Sequence, residues 1–194
     1  MAKISSVCVF CGSSNRVAPK YLKCAAEFGS LCANAGIKII FGGGRIGLMG
    51  ALADGALNQG GEVTGVIPHF LDKVEIAHRT TTEIIITNDM HERKAKMAER
   101  ADAFVVLPGS VGTLEEAFEV MSWTQLRQIN KPIVIANIFN YWQPVIDLLD
   151  HMVEENFLSP EHRGLVTLVN STSDIMPTLG IDINFQKNLA NRDI

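Results

Sequence analysis

Short apolar runs alternate with longer amphipathic stretches along this 194-residue chain, and this alternation constrains the fold more than any other feature. The short runs are apolar throughout rather than at alternate positions, which is typical of strands in a parallel sheet covered on both faces. Strands and helices that alternate at this spacing predict an α/β protein with a Rossmann-like, doubly wound and mostly parallel sheet. No repeat or linker interrupts the pattern, so we expect a single domain over residues 1–194.

The pattern places each predicted element on the chain. Strands are expected at Ser6–Cys11, Ile37–Phe41, Glu62–Ile67, Thr82–Ile86, Ala103–Leu107, Pro132–Asn137 and Leu165–Val169. Helices are expected at Pro19–Asn34, Gly47–Asn58, Met90–Arg100, Thr113–Gln128, Tyr141–Glu155 and near Ser173–Leu179. Glycine-rich turns follow three of the strands, at Gly12, Gly42–Gly47 and Gly109–Gly112. Because ligands bind beyond the carboxyl ends of strands in such sheets, these turns indicate a ligand site.

The composition argues against several classes of function. A net charge of -4 argues against electrostatic binding to nucleic acid, because such binding needs clustered lysine and arginine side chains. The amino terminus shows no signal-peptide pattern, and no apolar run reaches the roughly 18 residues of a membrane span. We therefore expect a cytoplasmic protein without a membrane or nucleic-acid partner, whose 4 cysteines are reduced.

Cys8 and Cys11 have the CxxC spacing of redox and zinc sites. A zinc site would need further ligands, and the sequence has neither a second CxxC pair nor paired histidines. Residues three apart in a strand also point to opposite faces of the sheet. We interpret both cysteines as packing residues, with a redox role as the alternative.

The segment Gly42–Gly47 (GGGRIG) matches the G-x-G-x-x-G fingerprint of dinucleotide-binding proteins. The match follows the second predicted strand rather than the first, and Glu62 precedes the third strand instead of ending it. Both departures weaken an NAD interpretation. Glycine also suits a tight turn in which helix and sheet approach closely, so packing and ligand binding stay open as equal alternatives.

The segment Pro108–Thr113 (PGSVGT) joins a predicted strand to a predicted helix. A helix N-terminus carries unpaired N–H donors and a partial positive charge, so this turn is a candidate phosphate cradle. No Gly-Lys-Ser/Thr follows it, which argues against a Walker A loop and magnesium-dependent ATP hydrolysis. The alternative is an ordinary turn in which Thr113 and Glu116 form the capping box of the helix.

Arg93 lies at the border of an apolar helix face that contains Met90, Met97 and Ala101. A guanidinium in that position must reach solvent or meet an anion. Its helix begins at the carboxyl end of a strand, on the ligand-binding side of the sheet. Arg93 is therefore a candidate functional residue, and a snorkelling surface arginine is the alternative.

Four segments together resemble the LOG family of cytokinin riboside 5′-monophosphate phosphoribohydrolases, which are often labelled lysine decarboxylases. They are FCGSS (Phe10–Ser14), FGGGRIGLMG (Phe41–Gly50), MHERKAKM (Met90–Met97) and PGSVGTLEE (Pro108–Glu116). The resemblance implies hydrolysis of the N-glycosidic bond of a nucleoside 5′-monophosphate, such as AMP or an N6-modified adenine ribotide. The products would be free base and ribose 5-phosphate. The resemblance also implies a homodimer and no metal or redox cofactor.

The same resemblance assigns the catalytic roles to Arg93 and Glu116. Together with the glycine-rich turns it predicts substrate contacts at Gly12, Ser13, Gly43, Gly44, Glu75, Met90, Lys94, Gly109, Ser110, Val111, Gly112, Thr113, Leu114, Glu115 and Ser122. Two positions depart from the family pattern: Ser110 replaces the second glycine of its PGG, and Arg16 stands where glycine is usual. If the turn needs a backbone conformation that only glycine allows, Ser110 is expected to weaken activity.

Two other functions stay open at this point. One is a nucleotide- or cofactor-binding protein without turnover, resembling the molybdenum-cofactor carrier proteins of the same wider fold group. The other is lysine decarboxylation, which would need a lysine that forms a Schiff base with pyridoxal phosphate, and Lys94 is not a distinctive candidate. The presence of both Arg93 and Glu116 favours the hydrolase.

Overall fold

Seven strands form one sheet, and all of their pairings are parallel. The computed structural model describes residues 3–75 and 77–181. The strands are β1 (Ser6–Phe10), β2 (Lys38–Phe41), β3 (Val63–Pro68), β4 (Glu83–Thr87), β5 (Ala103–Val106), β6 (Ile133–Ala136) and β7 (Val166–Val169). Their order across the sheet is β4-β3-β2-β1-β5-β6-β7. The predicted α/β fold with a Rossmann-like parallel sheet is thereby confirmed.

Helices follow the strands and cover both faces of the sheet. They are α1 (Pro19–Asn34), α2 (Gly47–Leu57), α3 (His69–Glu75), α4 (Met90–Arg100), α5 (Val111–Gln125), α6 (Gln143–Glu154), α7 (Pro160–Arg163) and α8 (Ile175–Thr178), with short 3-10 turns at Ile138–Asn140 and Thr172–Asp174. Local chemistry sets their starts: α4 begins after Asp89, whose side chain accepts a hydrogen bond from the Glu92 amide at 2.8 Å. Among the residues that the structure describes, no helix is both long and apolar enough to cross a membrane.

Each strand lies where the sequence predicted it, with ends that shift by at most one residue, whereas some helices differ more. The helix predicted from Thr113 to Gln128 is α5, which begins at Val111 and ends at Gln125. It stops in a Schellman-type turn, in which Arg127 has a φ of 57° and the Gln128 amide donates to the Trp123 carbonyl at 2.8 Å. Arginine takes the place that glycine usually has in such a turn, so no sequence signal marked this end.

Other helix predictions need smaller corrections. The short helices α3 and α7 were not predicted, because each spans too few residues to show a periodic apolar face. The helix expected near residues 173–179 is a 3-10 turn followed by α8. The helix α6 begins at Gln143 rather than at Tyr141, because a 3-10 turn at residues 138–140 precedes it.

Two apolar cores fill the spaces between the sheet and its two helical layers. Successive residues of a strand point to opposite faces, so each strand contributes to both cores. In β1, Val7 and Val9 pack on the side of α1 and α2, whereas Cys8 and Phe10 pack on the side of α4, α5 and α6. Cys11 joins the Val7 side, so the two cysteines of the CxxC segment lie on opposite faces, as predicted.

The strand order reverses between β1 and β5, because β2 follows β1 on one side and β5 lies on the other. In doubly wound sheets a ligand crevice opens at such a switch point, beyond the carboxyl ends of the strands. The turn after β1 and the turn after β5 meet there, and the Gly12 amide donates to the Pro108 carbonyl at 3.1 Å. The fold thus joins the glycine-rich turns after β1 and β5 directly.

Candidate active site

A pocket of about 80 Å³ opens at this crevice. It is lined by Val9, Cys11, Gly12, Ser13, Gly42, Met49, Arg93, Ser110, Gly112, Thr113 and Glu116. The lining comes from the turns after β1 and β2, from α2, from α4 and from the start of α5. Seven of the predicted site residues thus line one pocket. They are Gly12, Ser13, Arg93, Ser110, Gly112, Thr113 and Glu116.

A second cleft, of about 150 Å³, adjoins this pocket and shares Gly12, Ser13 and Ser110 with it. Its other walls are mostly apolar or aromatic and comprise Ser14, Val17, Tyr21, Leu48, Pro108, Gly109 and Tyr141. The turn after β5 is therefore a wall of both cavities. Gly109, which the sequence predicted as a substrate contact, faces this second cleft.

A larger cavity, of about 480 Å³, lies elsewhere, at the amino ends of the strands. Its lining includes Ser6 and the cationic Lys38 and Arg100, but none of the turns at the crevice. Each cation is already neutralised, because Lys38 pairs with Glu62 at 2.7 Å and Arg100 pairs with Glu83 at 2.8 Å. The smaller pocket, which holds a buried ion pair and a helix N-terminus, is the better candidate site.

Arg93 is held from three sides at the base of the pocket. Its Nε donates to the Val66 carbonyl at 3.1 Å and its Nη2 to the Gly42 carbonyl at 3.2 Å. Its Nη1 lies 3.3 Å from Oε1 of Glu116, and only 6% of the residue is exposed. Arg93 therefore meets an anion inside the protein, and the alternative of a snorkelling surface arginine is wrong.

Glu116 is the anion of this pair and is itself 7% exposed. The capping-box interpretation is wrong, because α5 begins at Val111 and Thr113 is already inside the helix rather than at its N-cap. Glu116 lies one turn further along α5 and faces the pocket. Burying two charges is costly unless they are paired, so an ion pair kept at the switch-point crevice points to a functional role.

The turn before α5 presents backbone donors to the same pocket. Within the described residues, the backbone N–H groups of Ser110, Val111, Gly112 and Thr113 donate no hydrogen bond. The Ser110 side chain does not cap the helix. Four successive amides at a helix N-terminus form an anion site, which supports the phosphate-cradle interpretation. Ser110 has a φ of -110° and a ψ of -157°, which any residue adopts, so its replacement of glycine strains nothing.

Glycine is required at position 109 for a different reason, which is close approach. A Cβ atom at Gly109 would overlap the Thr113 side chain, whereas one at Gly112 would meet open space. Thr113 is buried beneath the turn, and Val111 is 80% exposed beside it. The turn is therefore packed on one side and open to a ligand on the other.

The GGGRIG turn serves mainly for packing. Gly47 has a φ of 66°, and a Cβ there would collide with the backbone of Ser13 and Ser14. The first amides of α2 are already bonded, because Gly47 donates to Asn15 Oδ1 at 2.7 Å and Leu48 donates to the Gly12 carbonyl at 2.9 Å. The start of α2 thus anchors the turn after β1 and has few donors left for a ligand.

The two predicted contacts within this turn, Gly43 and Gly44, do not line the pocket. The Gly43 carbonyl accepts a hydrogen bond from the His78 amide at 2.9 Å, and Gly44 forms an isolated bridge with Ala77. Gly42, which was not predicted, lines the pocket instead and binds the Arg93 guanidinium through its carbonyl.

Replacing Gly47 with alanine is expected to lower the free energy of unfolding by about 3 kcal/mol. The cost of a positive φ in alanine and the cost of the overlap between its Cβ and the backbone of Ser13 and Ser14 add together. Gly60 provides the control, since it has a φ of 72° but nothing lies within 4 Å of its Cβ position. Gly60→Ala should cost only about 1 kcal/mol, which is the strain alone. Urea denaturation of both variants measures the difference, and equal losses would show that the overlap at Gly47 is unimportant.

Lys94 and Glu115 pair with each other rather than line the pocket. The Lys94 Nζ lies 2.5 Å from Glu115 Oε1 and 2.9 Å from Glu119 Oε1, so it ties α4 to α5. Burial lowers the pKa of Lys94, but the hydrogen bonds to these two carboxylates outweigh burial and raise this pKa above its ordinary value. Lys94 is a charged clamp between the two helices that carry Arg93 and Glu116.

The remaining predicted contacts are dispersed. The Met90 sulfur lies 3.8 Å from the Arg93 guanidinium, and Leu114 packs against the core. Ser122 is exposed on α5, about 9 Å along the helix axis from Glu116. Glu75 ends α3, and its side chain lies outside the described part of the structure.

The cysteine at the pocket, Cys11, was missed as a lining residue because its strand position predicted only packing. Burial is the main cause that raises the pKa of the Cys11 thiol, and the nearby Glu116 carboxylate raises it further. Burial is also the main cause that raises the pKa of the Cys8 thiol. Both thiols are free and on opposite faces of the sheet, which favours packing over the redox alternative. Within residues 3–75 and 77–181, no three His, Cys, Asp or Glu side chains are placed to hold a metal ion.

Comparison with known proteins gives a family match over most of the chain. The family model described as "Possible lysine decarboxylase" matches residues 49–179. A cytokinin riboside 5′-monophosphate phosphoribohydrolase of Rhodococcoides fascians is 44% identical over 83% of this chain and 82% of its own length. A protein of the same name in Arabidopsis thaliana is 40% identical over 92% of this chain and 84% of its own length.

Solved structures agree with the fold. The molybdenum cofactor carrier protein of Chlamydomonas reinhardtii superposes with a TM-score of 0.69 over 92% of this chain and 97% of that protein, at 20% identity. The molybdenum cofactor binding protein of Rippkaea orientalis gives the same TM-score of 0.69 and the same 20% identity, over 93% of this chain and 98% of that protein. At this level of identity the likeness concerns the fold alone.

Proposed function

This chain belongs to the LOG family of cytokinin riboside 5′-monophosphate phosphoribohydrolases, and on that premise we propose that it hydrolyses a nucleoside 5′-monophosphate to free base and ribose 5-phosphate. The substrate class is AMP or an N6-modified adenine ribotide. One observation carries the proposal: the buried Arg93–Glu116 ion pair faces the same pocket as the start of α5, whose first amides donate to no acceptor among the described residues.

The phosphate of the substrate binds at the start of α5. The amides of residues 110–113 supply hydrogen-bond donors, and the helix dipole adds a partial positive charge. This cradle needs no cationic side chain, which suits a pocket whose arginine is already paired with Glu116. Thr113 is buried at the same place and keeps the turn packed against the helix.

Glu116 acts at the ribose. Cleavage of the C1′–N bond develops positive, oxocarbenium-like charge on the sugar, which a nearby carboxylate stabilises. A water molecule adds its oxygen to C1′ as the C1′–N bond breaks, and it gives one proton to Glu116 as general base. Glu116 then passes this proton to the nitrogen of the departing base, which restores the carboxylate. Arg93 holds one oxygen of Glu116, so the carboxylate stays fixed in the pocket rather than turning toward solvent.

Pyridoxal-phosphate chemistry does not fit Lys94, although the family description names lysine decarboxylase. A Schiff-base lysine must reach the neutral amine to attack an aldehyde. The Glu115 and Glu119 carboxylates raise the pKa of Lys94 and so favour the charged form. The side chain is also held between α4 and α5, away from the pocket.

Two finer features belong to the same proposal. We propose a homodimer, supported by the apolar side chains of Val111 and Leu126, which are 80% and 66% exposed at the two ends of α5. We also propose a cytoplasmic location, supported by cysteines that are all free. Light scattering measures the mass in solution, and a monomer at micromolar concentration would contradict the dimer.

A comparison of nucleotides with a nucleoside tests the proposed function. We expect AMP and isopentenyladenosine 5′-monophosphate to release free base, and adenosine to react at least about 100-fold less efficiently in kcat/KM, because it lacks the phosphate group that binds the α5 cradle. Chromatography of the free base measures all three rates. Tight binding of AMP without any release of adenine would favour the carrier alternative.

A further inference from the structure

Tyr141 makes a direct contact with the phosphate turn although it lies on a distant part of the chain. Its hydroxyl donates a hydrogen bond to the Gly109 carbonyl at 2.5 Å. Gly109 is the first glycine of the PGSVGT turn, and the two residues are 32 positions apart. Tyr141 is not a member of the Arg93–Glu116 pocket, but it forms a wall of the adjoining cleft.

The backbone after β6 is shaped to deliver this side chain. Phe139 and Asn140 have φ values of 56° and 58°, a left-handed conformation that is unfavourable for residues other than glycine. The buried Asn137 closes the turn, because its Oδ1 accepts a hydrogen bond from the Trp142 amide at 2.8 Å. This tight reversal follows β6, and Tyr141 at its end reaches the turn after the neighbouring strand β5.

Aromatic contacts with α1 brace the same reversal. The ring of Tyr21 meets the rings of Phe139 and Tyr141 edge-on, each at a centroid distance of 5.6 Å. The Lys20 ammonium lies 4.3 Å from the centre of the Phe139 ring. The Tyr21 ring therefore supports the Tyr141 ring directly and also supports the reversal through Phe139, while the Tyr141 hydroxyl bonds the turn.

The hydrogen bond controls the orientation of one peptide group. In a trans peptide the carbonyl of residue 109 and the N–H of Ser110 point in opposite directions. Because Tyr141 holds the Gly109 carbonyl, it also sets the direction of the Ser110 N–H. No described residue accepts a hydrogen bond from this N–H. Glycine permits this peptide to rotate more freely than other residues do, so an external restraint has an effect here.

We propose that Tyr141 is a positioning residue that keeps the Ser110 amide directed at the phosphate of the substrate. This inference rests on the proposed function, because it concerns the phosphate cradle of the same site. Tyr141 acts through the Gly109–Ser110 peptide and touches neither Arg93 nor Glu116 in the described contacts. Its hydroxyl should therefore affect phosphate binding more than the chemical step.

The test is Tyr141→Phe, which removes the hydroxyl and keeps the ring. We expect KM for AMP to rise about tenfold, equal to about 1.4 kcal/mol, with kcat changed less than twofold. The dissociation constant of ribose 5-phosphate, measured by calorimetry, should rise by the same factor. Tyr21→Phe is the matched control, since no hydrogen bond joins the Tyr21 hydroxyl to the turn among the described residues, and it should leave both quantities unchanged.

The possible outcomes separate this inference from the proposed function. Unchanged KM and ribose 5-phosphate affinity in Tyr141→Phe would overturn the positioning role, as would equal losses in Tyr21→Phe, which would indicate ring packing. A kcat that falls while affinity is kept would also overturn it. If the wild-type protein binds ribose 5-phosphate but releases no base, the proposed function fails, and the calorimetric comparison still decides the role of Tyr141.

Discussion

Glu116→Gln is expected to lower the rate of base release from AMP by about a thousandfold while the protein stays folded. The substitution keeps the size of the side chain but removes the charge that would stabilise the ribose cation and accept a proton from water. Among the described residues that line the pocket, Glu116 is the only one with a carboxylate, so no other carboxylate there can replace it. Steady-state kinetics with chromatographic detection of adenine measures the loss.

Glu119→Gln is the matched control for this variant. Glu119 lies one turn further along α5 and pairs with Lys94 at 2.9 Å, outside the pocket lining. The same chemical change there should alter kcat less than about threefold, since Glu115 still holds Lys94. Near-wild-type turnover in Glu116→Gln, or equal losses in both variants, would remove Glu116 from the catalytic role.

Arg93→Ala is expected to abolish base release and to lower the free energy of unfolding by about 3–5 kcal/mol, the range found when a buried ion pair loses one partner. Three groups lose a partner at once: the Glu116 carboxylate loses its paired guanidinium charge, and the carbonyls of Gly42 and Val66 each lose the hydrogen bond from Arg93. Activity should be lost in both variants, but stability should fall further in Arg93→Ala than in Glu116→Gln, because the glutamine amide fills the same space and the guanidinium keeps both carbonyl partners. Urea unfolding of the two variants, with adenine release measured in parallel, separates the effects.

A second variant on the same helix controls for the loss of an arginine. Arg100 ends α4 and pairs with Glu83 at 2.8 Å, with both side chains more than two-fifths exposed. Arg100→Ala should cost less than about 1 kcal/mol and leave turnover intact, because exposed ion pairs contribute little. If Arg93→Ala unfolds at the wild-type urea concentration, Arg93 is not the buried structural cation that its contacts indicate.

Most of the fold was predictable, because strands buried on both faces are marked by continuous apolar runs. Residues such as Val105 and Ile135 belong to runs of this kind, and every strand end fell within one residue of its predicted place. Helix ends were harder. The end of α5 depends on Arg127 in a left-handed conformation, and nothing in the local sequence distinguishes this arginine from others.

The candidate site was predictable in part. Residues within local motifs could be predicted, whereas residues whose place depends on contacts distant along the chain could not. Arg93 and Glu116 were predicted from family motifs, and the fold places them 3.3 Å apart at the switch point of the sheet. Gly43 and Gly44 lie outside the pocket lining, and the match to a fingerprint could not reveal that the start of α2 binds the turn after β1. Tyr141 carries no local signal, since its role depends on a contact with a turn 32 residues away.

Product analysis of AMP incubated with the wild-type protein is the most direct test of the site as a phosphoribohydrolase. Adenine, ribose 5-phosphate, adenosine and inorganic phosphate are quantified in the same reaction. The arrangement of Glu116 beside the α5 phosphate cradle predicts adenine and ribose 5-phosphate in equal amounts, with no adenosine and no inorganic phosphate. AMP recovered intact, or converted to adenosine and phosphate, would contradict cleavage at the glycosidic bond.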